Sequence, residues 1–131
     1  MNIVIDTNVI ISAIFFGGQP LKLLEQLFDD KFNAFASPEI IQEYFETYNE
    51  LHRRYRTKGN GFIISQILNK MHILSPDCSV KICRDPDDNK FINCAISAKC
   101  LYIVSGDKDL LSIKRYKGIK IVTVAEFISR P

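Results

Sequence analysis

Three carboxylates stand where this sequence passes from one kind of pattern to another. Asp6 directly follows the apolar run Ile3-Val4-Ile5, Asp107 follows Tyr102-Ile103-Val104 across Ser105-Gly106, and Asp88 closes the turn Arg84-Asp85-Pro86-Asp87 ahead of a helical repeat. In an open α/β sheet the carboxyl ends of the strands meet at a crevice where ligands bind, so these acids converge if their strands are neighbours. Carboxylates gathered without basic partners repel one another and carry raised pKa values, and such clusters usually exist to hold a divalent cation. Oxygen-only ligands suit magnesium or manganese. One such ion, or a pair about 4 Å apart, can activate water and stabilise the charge that develops on a phosphodiester during in-line displacement. Metal-assisted phosphodiester hydrolysis is one of the few chemistries open to such a set.

Each acid also has a plainer role. Asp6 is the hardest to explain as structure alone, because an unpaired charge buried at a strand end is costly. Asp88 could simply cap its helix, and Asp85 and Asp87 compete with it for any role. Asp107 and Asp109 flank Lys108, and Asp107 is favoured because it comes straight after the strand. Glu43, one turn into a long helix, is by itself an ordinary solvated helix residue.

The elements that carry these acids follow from hydrophobic spacing. Residues 3–5 form a β-branched apolar run without alternation, as in a strand covered on both faces. A helix follows over 8–16 and stops at Gly17-Gly18, and Pro20 opens a second with Leu21, Leu24, Leu27 and Phe28 at helical spacing. A second strand is predicted over 32–36. Ser37-Pro38-Glu39 then supplies a cap, a first-turn proline and a charge that complements the helix dipole, so a long helix starts near 38. It turns basic at Arg53-Arg54-Tyr55-Arg56-Thr57-Lys58 and breaks at Gly59-Asn60-Gly61. Beyond it the pattern predicts a helix over 62–71, a strand at 73–74, a helix over 88–99 and a strand over 102–104. A helical turn at 110–111, a strand over 119–124 and a terminal helix from Ala125 complete five strands alternating with helices. That alternation predicts a doubly wound α/β sandwich with a mainly parallel sheet.

The bulk properties set outer bounds. A chain of 131 residues at 47% hydrophobic is expected to be one domain, spanning 1–131, able to bury a core without disulfides or metals. With 17 basic and 15 acidic side chains the net charge is only +2, so any nucleic-acid surface must be local. Cys78, Cys83, Cys94 and Cys100 form no C-x-x-C pair and have no histidine at zinc-finger spacing, which favours reduced thiols over a structural zinc. No apolar run approaches the roughly 20 residues a membrane span needs, and a cytoplasmic protein is expected.

Taken together, Ile3-Val4-Ile5-Asp6-Thr7-Asn8-Val9, Ser37-Pro38 with Glu43 downstream, Asp85-Pro86-Asp87-Asp88-Asn89-Lys90-Phe91 and Val104-Ser105-Gly106-Asp107-Lys108-Asp109-Leu110-Leu111 resemble the PIN-domain family. The likeness is to the branch of toxin components of toxin–antitoxin systems, and it spans nearly the whole chain in order. It implies a three-layer sandwich with a five-stranded sheet in the order 3-2-1-4-5, a magnesium- or manganese-dependent site and endonucleolytic cleavage of RNA. By the resemblance the catalytic and metal-binding acids are Asp6, Glu43, Asp88 and Asp107, with Asp88 placed by the apolar Phe91 and Ala95 that follow it. Asn8 and Ser105 match polar positions that support the first carboxylate or the ligand, and Asp109 an outer-sphere acid. A cognate antitoxin and a homodimer are the partners the resemblance brings with it.

Two short stretches interleave an aromatic with cations, as phosphate contacts and base stacking would use: Arg53, Arg54, Arg56 and Lys58 around Tyr55, and Lys114 and Arg115 beside Tyr116. Solvated surface is the plain alternative for both. Other functions fit less well. A haloacid dehalogenase-type phosphotransferase needs a second Asp where this chain has Asn8, and a receiver domain needs an acidic pair before its phosphorylated Asp. A PIN fold that binds RNA or protein without cutting is the remaining alternative, against which the intact acid set argues.

Overall fold

The computed structural model describes residues 1–55 and 62–131, and among them six strands form one sheet. β1 (Asn2–Ile5) lies at its centre, fully buried from Ile3 onward, as the unbroken apolar run requires. It pairs in parallel with β2 (Asn33–Ala36) on one side and β4 (Tyr102–Val104) on the other, Ile5 standing opposite Val104. β3 (Met71–Ile73) extends the sheet beyond β2, and β6 (Ile119–Val122) beyond β4, both in parallel. The order is β3-β2-β1-β4-β6-β5, the predicted 3-2-1-4-5 with one strand added at the edge. That strand, β5 (Arg115–Tyr116), is two residues long and antiparallel to β6 across the turn Lys117-Gly118. Both turn residues have positive φ, the geometry of a tight hairpin, and a pairing this short leaves no periodicity to read.

Helices complete the three-layer sandwich. α1 (Thr7–Phe16) starts directly after Asp6, and α2 (Gly18–Phe28) leaves it at 103°, the positive φ of Gly17 and Gly18 making the sharp break. α2 begins two residues before Pro20, because amides of a first helical turn have no intrahelical acceptor and a proline there removes nothing. α3 (Pro38–Tyr55) is capped by Ser37 as expected, its Oγ accepting from Ile40 N at 3.3 Å. α4 (Phe62–Asn69) ends earlier than predicted because Met71 pairs with Ala34 as the start of β3 instead of continuing the helical stripe. Leu74, predicted within that strand, adds one further backbone bond to Ala36 O.

The second half holds α5 (Asn89–Ser97), α6 (Lys108–Leu111) and α7 (Val124–Ile128), with α5 lying across β1, β2 and β4. β6 stops two residues short of the predicted end because Thr123 leaves the ladder to cap α7. Its Oγ1 accepts from Glu126 N while Glu126 accepts from Thr123 N, a reciprocal capping box. All four cysteines are free. Cys94 and Cys100 lie in the core as small hydrophobes, burial pushing their thiols up to about 12. Among the described residues no single helix is long and apolar enough to cross a membrane.

Candidate active site

Strand order decides where the acids meet. From β1 the chain winds outward to β2 and β3, then returns past β1 to β4, so the sheet reverses its winding between β1 and β4. Ligands of open α/β sheets bind in the crevice above such a reversal, and Asp6 and Asp107 flank it. Asp6 is held on both sides of its backbone and side chain by the strand it faces: its N–H donates to Val104 O at 2.9 Å, and Ser105 Oγ donates to its Oδ2 at 2.6 Å. The same Ser105 Oγ accepts from Asp107 N at 2.9 Å, so one buried hydroxyl joins the two acids. Asp107 also accepts from Asp109 N at 3.0 Å and thereby caps α6. Asp109 is instead half-exposed, with Arg84 Nη1 4.0 Å away.

The Asp85-Pro86-Asp87-Asp88 turn sorts its three acids. It is a single 3-10 turn, Pro86–Asp88, ahead of α5. Asp85 caps it, accepting from Asp87 N at 3.0 Å, and Asp87 faces solvent. Asp88 makes no side-chain cap, and its Oδ2 is buried without a hydrogen-bond partner. Burial pushes its carboxyl up to about 7, helped by Asp107 alongside and by Asp6 and Asp85. Asp6 is also raised, chiefly by burial, with the Ser105 hydrogen bond opposing and Glu43 and Asp107 adding repulsion.

Glu43 reaches the same group from α3. Tyr44, fully buried, anchors that helix by donating its hydroxyl to Ile5 O at 2.5 Å, immediately before Asp6. Thr7 Oγ1 donates to Glu43 Oε2, and Lys90 Nζ stands 2.6 Å from Oε1 and 3.0 Å from Asp87 Oδ1. Lys90 is almost wholly buried. Burial alone would lower its pKa, but Glu43 and Asp87 hold it above the usual lysine value, so the ammonium is charged. The cluster therefore does contain a basic partner, contrary to the expectation of acids alone. Glu43 is neutralised on one side, while among the described residues no cation is paired with Asp6, Asp88 or Asp107.

The match to known proteins agrees with this arrangement, for a family model described as PIN domain covers residues 2–109. The chain belongs to the PIN-domain family. An uncharacterized protein of Methanocaldococcus jannaschii is similar to it, 37% identical over 140 aligned positions that cover 98% of this chain and 90% of the relative. PIN domains are in general nucleases, and typically use divalent metal ions.

Within this PIN fold the donor chemistry fits a hard divalent cation: carboxylate oxygens only, two of the acids with raised pKa, and one buried oxygen lacking any partner. As the side chains stand, no three His, Cys, Asp or Glu among the described residues are arranged to hold an ion. Of the supporting positions, Ser105 bonds the first carboxylate, and Asn8 lines a cavity beside Asp107. Thr7 and Lys90 were missed. Both lie inside the quoted motifs, but neither hydroxyl nor ammonium advertises a partner 36 or 47 residues away in sequence.

The basic stretches lie apart from the acids. Arg53 and Arg54 are exposed near the end of α3, where Tyr55 meets Phe16 edge-on at the far end of α1, roughly 15 Å of helix rise from Asp6. Arg56 and Lys58 lie outside the described residues. Lys114 and Arg115 sit on the edge hairpin, where positive charge also keeps an open strand from pairing with another chain.

Proposed function

We propose that this PIN domain is a divalent-metal-dependent endoribonuclease. The observation that carries the reading is the buried, partnerless Oδ2 of Asp88, set with Asp6 and Asp107 at the reversal of the sheet. Asp6, Asp88 and Asp107 would hold magnesium or manganese, and Glu43, braced by Thr7 and Lys90, would complete the acid set. The ion would supply an activated water and stabilise charge on the phosphodiester. Ser105 keeps the Asp6 carboxylate turned toward the crevice, and α6, capped by Asp107, fixes that acid opposite it. RNA is the substrate in this reading, with Arg53, Arg54, Lys114 and Arg115 available for phosphates away from the site, and Arg56 and Lys58 as further candidates from the sequence alone. The cell's cytoplasm is the place of action, and the toxin of a toxin–antitoxin pair is the role we favour. An antitoxin would then block the crevice by placing a basic side chain among the acids, and a homodimer is the expected assembly.

The second reading is a PIN-fold module that binds RNA or protein without cutting. It draws on Lys90, which already neutralises part of the acid group. Labelled single-stranded and hairpin RNAs, incubated with manganese, magnesium or EDTA, separate the two. Cleavage that needs metal and is abolished by Asp6→Asn and by Asp107→Asn supports the nuclease. Variants that cut as well as the natural protein, or no cleavage with either metal, would move the binding module ahead.

A further inference from the structure

A cavity of about 410 Å³ opens beside Asp107 and takes in Asn8 and Ser105 of the site, while most of its wall lies beyond the acids. Small-molecule sites are typically about 300–1,000 Å³. Its walls come from four places: Asn8 and Ser12 on α1, Pro20 in α2, Ser105 and Gly106 after β4, and Thr123 at the start of α7. Asp107, on its border with the acid cluster, is the lone charge among the lining residues. A phosphate has no counter-ion there and would face a carboxylate. The rest of the lining mixes an amide and hydroxyls with the apolar Val9 and Val124, which suits a neutral, flat, hydrogen-bonding group.

Gly106 gives an independent sign that something enters. Its φ lies outside the left-handed region, and a Cβ built on it meets no atom within 4 Å. Neither backbone conformation nor packing requires glycine at that point. Gly106 thus leaves its part of the cavity wall open.

We infer that this cavity seats one nucleoside of the RNA next to the phosphodiester held at the acids, with Asn8 and Ser12 facing the base and Gly106 leaving its path clear. The inference rests on the nuclease reading. It adds a subsite that favours some bases over others beside the cut, since amide and hydroxyl groups distinguish base edges by donor and acceptor pattern.

Gly106→Leu and Ser12→Leu narrow the cavity from two different elements and replace no acid. Both are expected to keep the natural unfolding midpoint and manganese affinity. A lost hydrogen-bonded base contact is worth ~1–3 kcal/mol, so KM for RNA cleavage should rise roughly five- to 150-fold. Titration of the metal-free natural protein with each 5′-nucleoside monophosphate, followed by NMR, should shift the Gly106 backbone amide and the Asn8 side-chain amide, unequally for the four bases. Unchanged KM in a folded variant overturns the subsite. If the natural protein cuts no RNA, the nuclease reading fails separately and the titration decides the cavity: shifted amides uphold it as a nucleoside site, and unmoved amides dispose of it.

Discussion

Lys90 brings an ammonium into the acid cluster within 2.6 Å of Glu43 and 3.0 Å of Asp87. Removing one member of a buried pair leaves the other charge stranded, at about 3–5 kcal/mol for full burial. Glu43 keeps some contact with water, so Lys90→Met is expected to lower stability by a smaller amount, on the order of 2 kcal/mol. Combining it with Glu43→Gln should restore part of that loss in a urea-unfolding double-mutant cycle; additive losses would mean the pair is idle. Asp88 predicts a pH effect of definite sign. Its folded pKa of about 7 lies above the roughly 3.9 of an unfolded Asp. The folded state therefore binds the proton more tightly, and this group's contribution is complete below about pH 4 and lost as pH rises through about 7. Without metal, the urea midpoint should decline over that window, and Asp88→Asn should flatten the decline. Manganese affinity should rise over the same window, because the ion displaces the proton. Asp6, Asp88 and Asp107 stand out in the sequence because each adjoins a strand end or turn, whereas Glu43, inside α3, is singled out by the resemblance alone. Asp88 is chosen over Asp85 and Asp87 through the register that the resemblance sets on Phe91 and Ala95, and in the fold Asp88 is the acid of the three with a buried, unpartnered carboxylate oxygen.

Between β3 and the 3-10 turn at Pro86–Asp88 the chain runs without regular secondary structure, and two asparagines of α5 hold it. Asn93 Oδ1 accepts from Val80 N at 2.8 Å, and Asn89 Oδ1 accepts from Ile82 N at 3.1 Å and Cys83 N at 2.9 Å. These bonds replace the ladder that the segment lacks and fix the approach to the Asp85–Asp88 turn. Asn89→Ala should speed hydrogen exchange at the Ile82 and Cys83 amides while leaving Val80 protected by Asn93; equal exchange in both proteins would show that the clamp contributes nothing. Sequence patterning read the central strands, α1 and α3 closely, because unbroken apolar runs and caps mark them. It lost the ends of α4, β3 and β6, where one residue serves two patterns: Met71 fits a helical stripe but pairs with Ala34, and Thr123 is β-branched but caps α7. The Thr-x-x-Glu spacing at 123–126 was the available signal for the latter.

Across the whole molecule the charge is nearly balanced, so under the proposed function affinity for RNA would have to come from local cations. Each phosphate contact on single strands steepens the salt dependence of binding by about 0.7 in the log–log slope. Lys114→Ala/Arg115→Ala in the edge hairpin should reduce that slope by up to about 1.4, measured by fluorescence anisotropy on a catalytically dead Asp6→Asn background. An unchanged slope would assign those cations to protecting the sheet edge alone. The sheet's wiring has another consequence. Asp6 comes early in the chain, but its amide and its carboxylate are both held by β4 and the residue after it, and Asp107 arrives later still. A ribosome making this protein at about 5–20 residues per second therefore produces no complete site until β4 and Asp107 have been translated. Under the proposed ribonuclease function, a site wired this way would spare its own messenger RNA until the last strand beside β1 has closed over the first acid.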